Sequence, residues 1–582
     1  MGFPWNRRGV WALVVCAGAA LAPSLAAATP EAGAADTVSP AGSYLAGRFA
    51  QQHDDWTAAA AYMARALDAN PGDLGLLRRT YVLALSEGRL DAALGLARRL
   101  QTTDGDPQLS ALLLLADAVK GKRLDEAATL AAALPVQGLG KYIAPMARAW
   151  LAVAQGRTDD ALQALAPLEK EAGFSALYHL HSGLILDLAG RSGPAEGHYA
   201  AVTATQSPLR VVQVVGSFFE RTGRADKARA LYEAFLDSSD SVMIEPALRA
   251  LETGKTAPPV VASAADGLAE ALFDLGSALH HEGAEETALL FGRIALHLQP
   301  NMTLARLMVA DVLDGRERPG AALADYQVLA ADPALGWVAR LRAADVLARL
   351  DRTDEAIAQL QTLTEQRPDR TEALVRLGDL YRAKKDWQAA ADTYTRALDR
   401  IGEPEQRHWA VYYARALAWD GLKRWPETET DLKKAMALQP DEPYLLNYLG
   451  YSWIDRGINL DEAKAMVARA VDLRPKDGYI MDSLGWALYR LGDYEGAVSR
   501  LEKAVELKPL DPTINDHLGD AYWRVGRRIE ARFQWQRALR TAEDEPSKQA
   551  IAEKLEKGLA EQRAAAVQDA APKDKAPKDP AR

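Results

Sequence analysis

The sequence contains one cysteine, Cys16, among 582 residues. A chain with one cysteine forms no internal disulfide, and thiol chemistry is excluded everywhere beyond position 16. Cys16 also lacks the surroundings of a lipidated cysteine, because Val15 precedes it where a small residue is expected and it lies inside an apolar run rather than at its end. We therefore predict no lipidation, and the sequence supports membrane association only if Cys16 is lipidated.

Long apolar runs are absent beyond the start of the chain. The run at 10–22 is too short for a comfortable membrane-spanning helix. Arg7-Arg8 precede this run and three alanines follow it at 26–28, which is the pattern of a cleaved export signal. Twin arginines also permit export in folded form, although the residues after them match that signal poorly. We predict cleavage after Ala28 and a periplasmic protein, with association with the outer membrane as an open alternative.

Motifs of enzymatic chemistry are absent as well. The nine histidines include the clusters His179-x-His181 and His280-His281, but none has the i, i+4 spacing that places two metal ligands on one helix face. No Gly-rich phosphate loop and no Gly-x-Ser-x-Gly elbow occurs. The formal net charge of −10 disfavours nucleic acid as a partner. We predict a protein that is not an enzyme, with no metal, cofactor, small-molecule substrate or nucleic-acid partner.

A repeating pattern is the strongest positive feature of the sequence. Residues 478–543 match themselves at an offset of 34 positions. The matching pairs are Leu484-Gly485 with Leu518-Gly519, Leu488 with Tyr522, Ala497 with Ala531, and Ala504 with Ala538. This period and these residue types resemble the tetratricopeptide repeat, a hairpin of two antiparallel helices that stacks on its neighbours.

Each recurring position has a physical role in such a hairpin. Leu484 and Leu488 lie on one helix face at i and i+4, and Gly485 between them allows the second helix to approach closely. Gly492 is placed where a left-handed residue ends the first helix, and Pro509 stops the second. The same pattern recurs along most of the chain, whereas alternating apolar patterns are too short to predict a sheet.

The period predicts fourteen repeats, six before residue 238 and eight after residue 268. We therefore predict an all-α fold, an α-solenoid in the form of a superhelical array of helix hairpins in two arms. Residues 238–268 interrupt the period and are predicted to connect the arms, with a short helix at 245–252. The predicted segments are an export signal (1–28), a flexible leader (29–39), an N-terminal array (40–237), the connecting break (238–268), a C-terminal array (269–545), a capping helix (546–565) and a disordered tail (566–582).

Aromatic residues in the C-terminal array suggest a binding groove. In the helix that begins at Gly478, a second stripe runs beside the core stripe, with the spacing i, i+3, i+7, i+10. Rigid aromatic side chains with polar groups between them are typical of grooves that anchor peptides or proteins. The alternative is that these side chains pack between adjacent repeats. The candidate protein-binding residues are Tyr444, Asn447, Tyr451, Tyr479, Asp482, Trp486, Tyr489, Asp516, Asp520 and Trp523.

The block formed by 447–451, 482–486 and 517–520 carries a more specific resemblance. Together with 267–270, it is similar to a bacterial envelope family of long repeat proteins, which includes the lipoprotein binding partner of a carboxyl-terminal processing protease. The resemblance is closest over 266–541. It implies a superhelical adaptor that brings protein partners, such as envelope hydrolases, to the protease. The chain departs from that family in lacking a lipidation site, so an anchored form is not expected.

Three functional hypotheses follow from the sequence. The first is an exported protein-interaction scaffold that binds proteins or peptides in its groove, and the resemblance implies an adaptor that delivers substrates to an envelope protease. The second is an assembly factor for an outer-membrane or pilus machine. The third is an enzyme of unrecognised type, which the absence of a convergent polar site disfavours. Capture of partners from an envelope extract separates the first hypothesis from the second.

Overall fold

The structure is a computed structural model that describes residues 39–53, 55–102, 108–203, 207–239 and 242–559. In these ranges every regular element is helical, which confirms the predicted all-α class and the α-solenoid of helix hairpins. The predicted export signal (1–28), the leader up to residue 38 and the predicted tail (566–582) lie outside the described residues. The chain divides into two compact units, residues 1–368 and residues 369–582.

The first unit contains nineteen α-helices in the described ranges. They are α1 (Pro40–Gln52), α2 (Trp56–Ala69), α3 (Leu74–Ser86), α4 (Leu90–Gln101), α5 (Gln108–Lys120), α6 (Leu124–Ala133), α7 (Gly140–Ala154), α8 (Thr158–Glu169), α9 (Ser175–Leu188), α10 (Ser192–Thr203), α11 (Leu209–Arg221), α12 (Ala225–Ser239), α13 (Glu245–Glu252), α14 (Ala264–His281), α15 (Glu285–Leu298), α16 (Thr303–Gly315), α17 (Pro319–Leu329), α18 (Gly336–Arg349) and α19 (Thr353–Gln366).

The second unit contains eleven α-helices and one short 3-10 helix, Gln406–His408. The α-helices are α20 (Glu372–Ala383), α21 (Trp387–Ile401), α22 (Trp409–Gly421), α23 (Trp425–Leu438), α24 (Pro443–Arg456), α25 (Leu460–Leu473), α26 (Gly478–Arg490), α27 (Tyr494–Leu507), α28 (Pro512–Arg524), α29 (Arg528–Thr541) and α30 (Glu545–Lys557).

Consecutive helices pack as hairpins, as the repeat pattern predicts. The described residues contain six hairpins before α13 and eight after it, from α1–α2 to α28–α29. The short helix predicted at 245–252 is present as α13, which packs against α12. The last helix, α30, packs against α29 at the end of the array, where the sequence predicts a capping helix.

Two glycines have the structural roles that the sequence predicts for them. A Cβ added to Gly485 would lie 2.5 Å from Cγ of Leu501, so the close approach of α26 and α27 depends on the missing side chain. Gly492 has φ +84°, the left-handed conformation that ends α26 and starts the turn into α27. The hairpin geometry is therefore set by small side chains and by turn chemistry at fixed positions of the repeat.

One part of the first unit differs from the predicted organisation. Helices α14 and α15 follow the predicted break, yet α14 packs on α5, α7 and α9, and α15 packs on α3 and α5. Gly267 of α14 lies against the indole of Trp150, where a Cβ would clash. Arg210 of α11 forms an ion pair with Glu270 of α14, whose side chain is 1% exposed. The compact units accordingly divide after Pro368 rather than within 238–268, because these long-range contacts hold the early hairpins to α14 and α15.

Candidate protein-binding site

A pocket of about 480 Å³ opens in the second unit, between the first helices of successive hairpins. Its walls come from α22, α24, α26 and α28, and three tyrosines on α24 and α26 are part of them. The lining residues are Asp420, Lys423, Asn447, Tyr448, Tyr451, Ser452, Asp455, Arg456, Tyr479, Asp482, Ser483, Asp511, Thr513 and Ile514.

Four of the predicted site residues line this pocket. Asn447 and Tyr451 are one turn apart on α24, and Tyr479 and Asp482 lie at i and i+3 on α26. The Tyr479 side chain is accessible, because the residue is 42% exposed. The structure therefore brings part of the predicted stripe, on two neighbouring repeats, to one concave surface.

The pocket carries more negative than positive charge. Its lining has four carboxylates against Lys423 and Arg456. The hydroxyl of Tyr448 donates to Oδ2 of Asp420 at 3.0 Å. Burial, followed by the charges of Asp482 and Asp455, raises the pKa of Tyr451 to about 12. All three lining tyrosines therefore stay neutral near pH 7, and the surplus of carboxylates favours a cationic ligand.

The side-chain carbonyl of Asn447 accepts no hydrogen bond within the described structure. Its Oδ1 atom is buried and has no hydrogen-bond partner among the described residues. A buried carbonyl without a donor destabilises the fold by about 1–3 kcal/mol. A donor that gains access to this atom would recover that free energy. Asn447 lines the pocket together with Tyr448 and Tyr451.

Asp482 and Trp486 also take part in the stacking of the repeats. Oδ1 of Asp482 on α26 lies 3.0 Å from Nδ1 of His517 on α28. The ring of Trp486 stacks on His517 with centroids 4.1 Å apart and on Tyr489 with centroids 4.7 Å apart. Trp486 therefore fills the space between two rings and is not among the residues that line the pocket.

Tyr489 and Tyr444 have packing contacts as well. The hydroxyl of Tyr489 accepts a hydrogen bond from Nε of Arg524 at 3.1 Å, which connects α26 to α28. The guanidinium of Arg474 lies 5.6 Å from the ring centroid of Tyr444. Both tyrosines pack against the core of the second unit, and neither lines the pocket.

The three predicted residues on α28 are covered by the capping helix. Nζ of Lys554 on α30 lies 2.7 Å from Oδ2 of Asp516 and 2.9 Å from Oδ2 of Asp520. Trp523 lies against Gly558, immediately after α30. Lys554 and Gly558 therefore cover this part of the predicted stripe.

Sequence reasoning missed several pocket residues. Tyr448 is adjacent to the predicted Asn447, and Asp455 is one turn beyond the predicted Tyr451. Extending the predicted stripe by one turn along each helix would have found Asp455. Asp420 was harder to predict. Its repeat has Thr428 where a small residue is expected, so the sequence does not fix the register of that repeat.

Within the described ranges, no group of three or more histidine, cysteine, aspartate or glutamate side chains is arranged to hold a metal ion. No helix of the described chain combines the length and apolar character needed to cross a bilayer.

Comparisons with known proteins support the repeat assignment. Residues 146–208 and 341–406 match a model described as the tetratricopeptide repeat, and residues 485–526 match a second model described as the TPR repeat. A TPR repeat-containing protein of Pseudomonas aeruginosa is 35% identical over 82 residues, a match that covers 14% of this chain and 14% of that protein. This chain thus matches only a small part of that relative.

The solved structures that are similar to this chain include these three. The Cut9–Hcn1 hetero-tetramer of the APC/C is 15% identical, with a TM-score of 0.37, and covers 89% of this chain and 96% of that chain. A tetratricopeptide repeat protein from Parabacteroides merdae is 16% identical, with a TM-score of 0.34, over 44% of this chain and 97% of that chain. Yeast Tom70 is 13% identical, with a TM-score of 0.32, over 89% and 95% of the two chains. The matched models and the observed hairpins together show that segments in both units carry tetratricopeptide repeats within an all-α solenoid.

Proposed function

We propose that the chain is an exported, non-catalytic scaffold that binds an extended segment of a partner protein in the pocket of its second unit. The observation that carries this proposal is the pocket itself, which combines three tyrosine rings, a surplus of carboxylates and the unpartnered Asn447 carbonyl. Proteins built from this repeat commonly use such concave surfaces for binding other chains. A volume of about 480 Å³ accommodates a few side chains of a peptide rather than a folded domain.

The chemistry of the lining points to a cationic segment. Tyrosine rings contribute broad contact area at a low cost in side-chain entropy, and their faces also attract lysine and arginine. Asp455 is exposed at the pocket wall and also pairs with Arg490 at 3.5 Å, and Asp511 is half-exposed there. Both carboxylates can interact with such residues. A peptide N–H that gains access to the buried Asn447 carbonyl would supply its missing donor and position the segment along α24 without depending on its sequence.

The cellular role that we propose is adaptor function in the bacterial envelope. The arginine pair and the short apolar run at the start of the chain support export to the periplasm. The resemblance of 447–520 to an envelope family of protease adaptors supports delivery of substrates to a carboxyl-terminal processing protease. That finer role rests on the resemblance alone, and assembly of an outer-membrane or pilus machine is the alternative.

A peptide titration tests the binding proposal. A short labelled peptide of lysine, leucine and serine is titrated into the full chain, beside a counterpart in which glutamate replaces lysine. We expect the lysine peptide to bind more tightly and the difference to shrink as salt is raised. Tyr479→Ala should weaken binding by about thirtyfold, because a lost aromatic anchor costs about 2 kcal/mol.

A matched control is Tyr62→Ala in the first unit, which removes a half-buried tyrosine far from the pocket in sequence. Binding that is equally weak in Tyr62→Ala and Tyr479→Ala, or tighter for the glutamate peptide, contradicts the proposal. Capture from an envelope extract with the wild type and Tyr479→Ala then separates the two cellular roles. Recovery of a processing protease and its substrates by the wild type alone supports the adaptor, and recovery of a secretion or pilus complex supports the alternative.

A further inference from the structure

A second pocket, in the first unit, has the opposite charge. It measures about 330 Å³ and joins residues that are far apart in sequence, from α1–α3 on one side and from α15 and the α16–α17 turn on the other. The lining residues are Gln51, Trp56, Gly75, Arg78, Arg79, Val82, Leu83, Ser86, Glu286, Leu289, Arg316 and Arg318.

The packing of α15 on α3 holds this pocket in place. Nε of Arg293 on α15 donates to the carbonyl oxygen of Ser86 at 3.3 Å. Arg318 is buried and forms an ion pair with Glu87, directly after α3. These contacts hold the α16–α17 turn against the second hairpin. The pocket is therefore formed by the folded first unit without any conformational change.

Three of the four lining arginines have no carboxylate partner in the part of the chain that the structure describes. Arg78 is exposed, and Nη1 of Arg79 donates only to the hydroxyl of Tyr44, at 2.9 Å. Arg316 lies over the face of Trp56, with the guanidinium carbon 5.7 Å from the ring centroid. Glu286 is the one acidic residue among the lining residues, so the pocket has a clear surplus of positive charge.

Trp56 supplies both an apolar wall and an unused donor. Its ring also lies under Arg318, whose guanidinium carbon is 5.0 Å from the ring centroid. The indole N–H of Trp56 is buried and donates to no acceptor in the described structure. Val82 and Leu289 add apolar surface to the same lining. The pocket therefore combines arginine guanidinium groups, which donate hydrogen bonds, with an apolar wall.

We propose that this pocket binds an acidic segment of a partner protein, with one or two carboxylates between Arg78, Arg79 and Arg316 and an adjacent apolar side chain on Trp56 and Val82. Guanidinium groups bind carboxylates through two parallel hydrogen bonds, which gives both strength and orientation. The apolar wall favours a peptide over a simple anion, because a peptide side chain can cover the wall and an inorganic anion cannot. The site is independent of the pocket in the second unit and selects the opposite charge.

The test uses the full chain and a short labelled peptide of glutamate and leucine, with a glutamine-for-glutamate counterpart. We expect the glutamate peptide to bind at least about tenfold more tightly than the glutamine peptide, because each lost charge-assisted hydrogen bond weakens binding by about that factor or more. Arg78→Gln and Arg316→Gln should each weaken binding by about tenfold. Arg78 is exposed, so its variant should fold as the wild type does, and a melting curve checks this.

Arg500→Gln in the second unit is the matched control, since it removes an exposed arginine and the same charge elsewhere. The proposal predicts unchanged binding of the glutamate peptide to Arg500→Gln and to Tyr479→Ala. Equal binding of the glutamate and glutamine peptides, or equal loss in Arg500→Gln and Arg78→Gln, overturns it. Displacement of the peptide by an equal concentration of inorganic phosphate also overturns it, because the site would then take a simple anion.

Discussion

Asp482 on α26 and His517 on α28 form a buried pair that spans two adjacent repeats, with Oδ1 and Nδ1 3.0 Å apart. Asp482 is also part of the pocket wall, and His517 is stacked against Trp486. The pair therefore joins the pocket wall to the stacking of the repeats. A change in its charge is expected to affect the stability of the second unit.

The pair predicts a pH-dependent contribution to stability. Burial by itself lowers the pKa of His517, but the charges of Asp482, Asp516 and Asp520 outweigh it and raise the pKa above its ordinary value. A histidine with a raised folded-state pKa contributes fully below its unfolded pKa of about 6.5, and this contribution is lost as the pH rises through the folded value. The destabilisation caused by His517→Asn should therefore be larger near pH 6 than near pH 9. Urea midpoints at both pH values measure it, and a destabilisation that grows with pH contradicts the assignment.

A second prediction concerns Trp486, which the spacing places on the candidate binding stripe. Because the ring stacks between His517 and Tyr489, Trp486→Ala is now expected to lower the free energy of unfolding by about 1–3 kcal/mol. Leu484→Ala, on the core stripe, is the comparison and should cost about 2–5 kcal/mol. An unchanged melting temperature for Trp486→Ala would indicate that the ring faces the groove and contributes little to packing between the repeats.

The contact of the capping helix with α28 gives a third prediction. Lys554→Met removes the cation that pairs with Asp516 and Asp520 and should cost about 1–3 kcal/mol, since both carboxylates then lose a charged donor. Hydrogen exchange of α28 and α30 should accelerate. Lys548→Met is the matched control on the same helix, because its pair with Glu545 is exposed and contributes less than about 1 kcal/mol. Equal losses of stability in Lys554→Met and Lys548→Met would show that the ion pairs of Lys554 do not stabilise the packing of α30 on α28.

The repeat pattern predicted much of the fold. Gly485 and Gly492 have the predicted roles because a repeat imposes the same close approach and the same turn in every copy. The contact of Gly267 with Trp150 could not be predicted, because it joins hairpins that are not neighbours in sequence. The place of Trp486 was also open, since an aromatic ring on the inner stripe is equally compatible with a ligand and with a ring on the next repeat. The spacing and residue types of the stripe predicted Asn447, Tyr451, Tyr479 and Asp482. These residues line the pocket, and their role in binding stays a prediction.

The role of small residues in the hairpins gives a fourth prediction. Gly485→Ala should destabilise the chain by about 1–3 kcal/mol, because the new methyl group would overlap Leu501. Gly95→Ala is the control in the interior of α4, where an added Cβ meets nothing within 4 Å. That change should stabilise the chain by about 0.5–1 kcal/mol through helix propensity. Destabilisation of similar size in both variants would mean that close approach of α26 and α27 does not require Gly485.

The most direct test of the proposed pocket is one binding titration of the lysine-containing peptide against Tyr451→Ala and Trp486→Ala, with a melting curve for each. Tyr451 lines the pocket, whereas Trp486 packs between repeats beside it. We predict that Tyr451→Ala weakens binding by about thirtyfold with a smaller loss of stability than Trp486→Ala, and that folded Trp486→Ala keeps most of its affinity. Unchanged affinity in Tyr451→Ala, with loss of binding only in Trp486→Ala, would contradict the account.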